Sequence, residues 1–129
     1  MLAIDTNVLV RLVIDDHPQQ AKAARTLLET KEVFVSSTVL LEAEWVLRNG
    51  YGLSRPTVVG ALKAICGLSG VTLAEPDRVA SALAWGAAGM DFADALHLAG
   101  ADACEAFATF DRKLAKAAPG QDAPPIRLL

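Results

Sequence analysis

Apolar residues recur along this chain in two rhythms, short runs of three or so and longer stretches with a period near 3.6, and the two alternate from end to end. The short runs at about Leu2–Ile4, Val33–Val35, Val71–Leu73 and Phe107–Thr109 predict strands, with Ile126–Leu128 as a closing edge strand. A short helix is expected near Val8–Ile14. Pro18 then stands where the first turn of the next helix should be, because its missing N–H costs nothing there. That helix should run to about Thr30, with Ala21, Ala24, Leu27 and Leu28 on one stripe. Ser36, Ser37 and Thr38 offer caps for a helix from Val39 to Asn49, which Gly50 or Gly52 would end. Ser54 caps another, with Pro56 tolerated in its first turn. Pro76 opens a helix that should stop at Gly86 or Gly89, and Asp91 starts one over Phe92–Cys104. Only Pro119–Pro125 reads as a true loop. Strand and helix in alternation predict an α/β fold, a central parallel β-sheet flanked by helices on both faces. With no repeat, linker or low-complexity tract, residues 1–129 are expected to form one domain.

Composition narrows the class. The chain is 53% hydrophobic and 21% charged, which suits a packed core and excludes a disordered chain. Asp5 and Arg11 interrupt any early apolar segment, and no window supplies the ~18 apolar residues of a membrane helix, so a cytoplasmic protein is expected. Cys66 and Cys104 fall in predicted helices without ligand-type spacing and read as reduced, buried and structural. A net charge of −3 offers no global basic field for nucleic acid.

The candidate chemistry lies in acids placed where strands hand over to helices. Asp5 closes the first apolar run and Asp111 closes the run ending at Phe110. A carboxylate at the carboxyl end of a strand sits where open α/β sheets place their sites. Each Asp could equally cap the helix that follows it, but two parallel neighbouring strands that both end in Asp would bring the carboxylates together. Asp94 sits on a helix apolar nearly all round, where an unpartnered charge is costly. Asp91, three residues earlier, reads either as that helix's N-cap or as a supplementary acid. Of the two glutamates on the helix after Val35, Glu44 can pair with Arg48 on a solvated face, which leaves Glu42 as the inward acid. Converging carboxylates repel unless a cation neutralises them, and oxygen-only ligands suit Mg²⁺ or Mn²⁺, one or two ions per site. Neutralising one such buried acid should therefore raise the stability of the metal-free chain. His17 reads as exposed and His97 as a core residue; Trp45 and Trp85 read as core or interface.

Four segments in order, Asp5-Thr6-Asn7-Val8-Leu9-Val10, Ser37-Thr38-Val39-Leu40-Leu41-Glu42, Asp91-Phe92-Ala93-Asp94-Ala95-Leu96 and Ala108-Thr109-Phe110-Asp111-Arg112-Lys113-Leu114, resemble the PIN-domain ribonucleases of the VapC toxin family. The resemblance spans almost the whole chain. It implies a PIN-like fold and a metal-dependent RNA-cleaving site whose catalytic, metal-holding acids fall on Asp5, Glu42, Asp94 and Asp111. Asp91 matches an acid present in only some members. Thr6, Asn7 and Thr109 match the small polar residues that orient the acids. The family also implies a toxin–antitoxin system, hence an antitoxin protein as partner, and often a homodimer.

The expected reaction is in-line attack of a metal-activated water on an RNA phosphodiester, with Asp5, ending a central strand, as the bridging acid. Arg11 and Arg112 are candidates for holding the RNA backbone, and the apolar helices around Trp45 and Leu62 for receiving a partner. Two alternatives differ in class. A receiver-like signalling module would want an acidic pair after strand 1 and a lysine after the last strand, where this chain has a lone Asp5 and only Arg127. A PIN scaffold that binds RNA or protein without cleaving would not need the acids.

Overall fold

The structure, a computed structural model, describes residues 1–129 and resolves into two compact units, Met1–Pro76 and Asp77–Leu129. Five strands and seven α-helices alternate, and every strand pairing is parallel, which is the α/β class expected.

In the first unit, β1 (Leu2–Ala3), β2 (Val33–Val35) and β3 (Val71–Leu73) form a sheet in that order, with Leu2 opposite Val33 and Val33 opposite Val71. The middle strand is β2, whose Val33 and Val35 are buried, whereas β1 lies at the edge of this sheet with both residues exposed. The expectation that Asp5 ends a central strand is corrected on this point. Two residues of ladder are all that the exposed Leu2 and Ala3 support, so the strand is also shorter than expected. Around the sheet lie α1 (Thr6–Val13), α2 (Pro18–Thr30), α3 (Ser37–Trp45) and α4 (Arg55–Cys66). Pro18 opens α2, His17 Nδ1 accepts from the Gln20 N–H as its cap, and Ser54 caps α4. The helix expected over Val39–Asn49 starts two residues earlier, because Ser36 rather than Thr38 takes the cap position, and α3 gives way to a π-helical turn at Val46–Gly50. Leu62 of α4 is fully buried and cannot receive a partner; Trp45 is 59% exposed and is not core.

The second unit holds α5 (Pro76–Ala87, whose Pro76 closes the first unit), α6 (Phe92–Ala99), β4 (Phe107–Thr109), α7 (Arg112–Ala117) and β5 (Ile126–Leu128). Here β5 pairs in parallel with β4, Phe107 opposite Ile126. Gly86 is buried within α5, and Gly89 stops the helix with φ +112°, its N–H reaching the Gly86 carbonyl and that of Met90 reaching Trp85. This is the C-terminal closure that favours a residue without Cβ. Helix α6 ends at Ala99, not Cys104, because the chain turns at Gly100 and the following segment is tied elsewhere by the Arg78–Asp102 ion pair, 2.9 Å. The Arg78 guanidinium holds the Asp102 carboxyl below its usual range.

The cysteines part company with expectation. Both are free, but Cys104 is exposed in a turn and only Cys66, at the end of α4, is partly covered. Burial pushes the Cys66 thiol up to about 11. Since the thiolate is the nucleophile, native protein at pH 8 should take up one equivalent of a thiol reagent, at Cys104, and a second only on denaturation. Two fast equivalents in the native state, counted by mass spectrometry, would contradict the burial of Cys66.

Candidate active site

Asp5 follows β1 with extended backbone and caps α1, its Oδ1 accepting the Val8 N–H at 3.1 Å. One residue on, the Thr6 hydroxyl donates to Glu42 Oε1, joining the start of α1 to α3. Thr6 thus orients one of the acids, and it brings Glu42 to the residue next to Asp5. Both carboxylates are exposed. The side chain of Asn7, also exposed, makes no hydrogen bond within the chain.

The face of α3 is the reverse of the one expected. Leu40, Ala43, Glu44 and Leu47 share the buried stripe, and Glu44 is only 1% exposed. Arg48 meets it with Nε at 2.7 Å from Oε1 and Nη2 at 3.4 Å from Oε2, a two-pronged pair that satisfies the buried carboxylate. Glu44 is therefore the inward acid and Glu42 the outward one. The i,i+4 pairing with Arg48 holds, but in the interior rather than on a solvated face.

In the second unit Asp111 follows β4 and caps α7: Oδ1 accepts from the N–H groups of Lys113 (2.9 Å) and Leu114 (3.1 Å). The Thr109 hydroxyl in turn accepts the Asp111 N–H at 3.0 Å, so Thr109 fixes the turn that aims the carboxylate. Asp91 is the N-cap of α6, accepting the Asp94 N–H at 3.1 Å, and Asp94 is half-buried in the first turn. His97, expected in the core, is exposed, because it lies opposite the buried Phe92, Ala95 and Leu98. Arg112 is exposed at the start of α7.

Three of the expected acids share one arrangement. In Asp5, Glu42 and Asp111, a donor (local for the two aspartates, Thr6 of α1 for Glu42) fixes one carboxylate oxygen and leaves the other without a hydrogen bond in the chain. That donor chemistry, hard and oxygen-only, fits Mg²⁺ or Mn²⁺. Nowhere are three or more His, Cys, Asp or Glu side chains gathered as a metal would need; within the first unit Asp5 and Glu42 are linked through Thr6.

Sequence reasoning missed the surroundings of Arg11. Its Nη1 donates to Asp16 Oδ1 (3.1 Å) and to the Tyr51 hydroxyl (3.0 Å), and Tyr51 donates to Asp16 Oδ2 (3.0 Å). Its Nε donates to Gln20 Oε1 at 2.8 Å. No local spacing announces a contact between positions 11 and 51. Arg11 also lines a cleft of about 360 Å³ with Asp5, Asn7, Val8, Gln20, Ala23, Ala24 and Leu27. A further strand-end acid that the sequence reading passed over, Glu75 after β3, accepts from Ser37 Oγ at 3.1 Å.

A parallel α/β chain with strand-end aspartates fixed as helix caps belongs to the broad class whose chemistry sits at the carboxyl ends of strands. The PIN domain family model matches residues 2–119, which run through both units and include every acid named above. The chain belongs to the PIN-domain family. Members are generally nucleases, which supports a hydrolase of nuclease type and replaces the receiver-like alternative. A search of curated proteins finds no significant match. No helix is long and apolar enough to cross a membrane.

Proposed function

We propose that this chain is a metal-dependent endoribonuclease, acting as one PIN domain over residues 1–129 and serving as the toxin of a toxin–antitoxin pair in the cytoplasm. The observation that carries the reading is the set of anchored carboxylates, Asp5 and Asp111 as helix caps and Glu42 through Thr6, each with one oxygen fixed, inside a segment that matches a nuclease family. Asp5, Glu42, Asp94 and Asp111 would hold one or two Mg²⁺ or Mn²⁺ ions, with Asp91 as a supplementary acid. Bound there, the cation supplies charge neutralisation at the phosphate and a lowered pKa for water. Thr6 holds Glu42, and Thr109 holds the turn carrying Asp111, so each fixes the direction of its acid. Arg11 and Arg112 would contact the RNA backbone as fixed cations. The exposed Trp45 offers an apolar anchor for a homodimer or for the antitoxin.

The direct test is cleavage of RNA by purified protein with Mg²⁺ or Mn²⁺ and with excess chelator. Cleavage that persists undiminished in chelator would remove the metal from the mechanism; the absence of any cleavage would favour a PIN scaffold that only binds. In cells, the wild-type chain expressed alone should arrest growth, and its cognate antitoxin should relieve the arrest. A basic side chain from that partner can pair with the carboxylates and compete with the cation. Asp5→Asn should be harmless yet still capture the antitoxin. Arrest of equal strength by that variant would separate toxicity from catalysis.

A further inference from the structure

The cleft between α1 and α2 has one polar and one apolar wall. Asp5, Asn7 and Arg11 form the first; Ala23 and Leu27 of α2 belong to the second, and Gln20, one turn before Ala23 on α2, reaches across to Arg11. Its polar groups are not equivalent. Arginine can only donate, so the 2.8 Å bond from Arg11 Nε must end on the carbonyl oxygen of Gln20. That leaves the Gln20 NH₂ as the free end of the amide. Asp16 and Tyr51 in turn hold Arg11, so the Gln20 amide is braced from behind by a three-residue network. The Asn7 amide, with no bond inside the chain, adds a donor and an acceptor beside it.

A braced amide donor beside an apolar strip on the same helix face, in a space of about 360 Å³, suits one planar heterocycle. Asp5 lies on the rim, so an occupant would sit beside the proposed reaction centre. We propose that this cleft is a nucleobase subsite: it takes one unstacked base of single-stranded RNA next to the scissile phosphate. The side chains of Ala23 and Leu27 pack on the base face, and the Gln20 and Asn7 amides contact its edge. The fixed Gln20 donor calls for an acceptor on the base edge, which every base supplies as a carbonyl oxygen or a ring nitrogen, so the subsite requires a base without choosing among the four. The inference rests on the ribonuclease reading and adds a base-holding position to it.

The experiment measures cleavage of short unstructured RNAs, varied at one nucleotide at a time, by full-length protein with Mn²⁺. Wild type should disfavour an abasic nucleotide about tenfold at one position flanking the cut, the size of a single base-edge contact. Gln20→Leu should erase that preference while cleavage continues. Ala23→Phe, which fills the cleft from an exposed helix position, should raise KM about tenfold with kcat little changed. Gln19→Leu, the adjacent residue but outside the cleft, should change neither. If wild type cleaves, but Gln20→Leu keeps the preference and Ala23→Phe keeps the KM, the subsite is wrong and the ribonuclease reading survives. If wild type cleaves nothing, that reading fails. The subsite is then judged by anisotropy with labelled 2′-O-methyl tetranucleotides, and binding that Ala23→Phe does not weaken overturns it. Variants that cleave normally but lose a protein partner would assign the cleft to that partner instead.

Discussion

Asp5→Asn should lower metal-dependent RNA cleavage by at least ~100-fold, the scale on which even groups behind a metal ligand act, and leave the melting temperature unchanged. The second half of that expectation comes from the cap. Asp5 accepts the Val8 N–H at the start of α1, and Asn caps a helix as well as Asp does. Asp5→Ala should lose the same activity and also the cap, about 1 kcal/mol, seen as a melting temperature lower by roughly 3–5 °C. The same pair of substitutions at Asp111, which caps α7 with two N–H bonds, should behave alike. The stabilisation expected from removing a buried repulsive charge does not apply, because Asp5, Glu42 and Asp111 are all exposed and solvent screens their repulsion. Activity and melting measured on the same preparations decide the matter. Equal melting of Asp5→Asn and Asp5→Ala would remove the cap from the account, and an active Asp5→Asn would remove the acid from catalysis.

The largest stability effect should fall on a pair that takes no part in the chemistry. Arg48→Met leaves Glu44 1% exposed with its charge unmatched, and breaking a buried ion pair from one side costs about 3–5 kcal/mol. The midpoint of urea unfolding should drop accordingly. The double variant Glu44→Leu with Arg48→Met should recover most of the loss, since well-packed apolar replacements of buried pairs are often neutral or better. Glu42→Gln is the counterpart: metal affinity and cleavage fall, and stability barely moves, because this side chain is outside the core and its Thr6 partner can still donate to the amide oxygen. An unchanged unfolding midpoint for Arg48→Met would show that Glu44 is not confined as the structure has it.

Those two glutamates mark how far residue patterns reach. Two positions two apart must lie on different faces of a helix, and that much was legible. Which face turns inward was also written in the chain, in the 40, 43, 44, 47 spacing of Leu, Ala, Glu and Leu, but one charged member disguised the stripe. A buried charge is tolerable only with a partner, and the partner's geometry belongs to the fold.

What the sequence determined by itself is local. The strand positions Val33–Val35, Val71–Leu73 and Phe107–Thr109 follow from short β-branched or aromatic runs, and the helix starts follow from Pro18, Ser54, Asp91 and Asp111. Each of these depends on neighbours within four residues, where propensity and capping act. The four ordered motifs likewise carried the family. Tertiary structure decided the rest: β1 at the edge of its sheet, Cys104 in the open, and Arg11 bound by Tyr51 forty residues away. Long-range packing selects among faces, edges and distant partners that local preference leaves equivalent, because the burial free energy that separates them is collected only when remote segments meet.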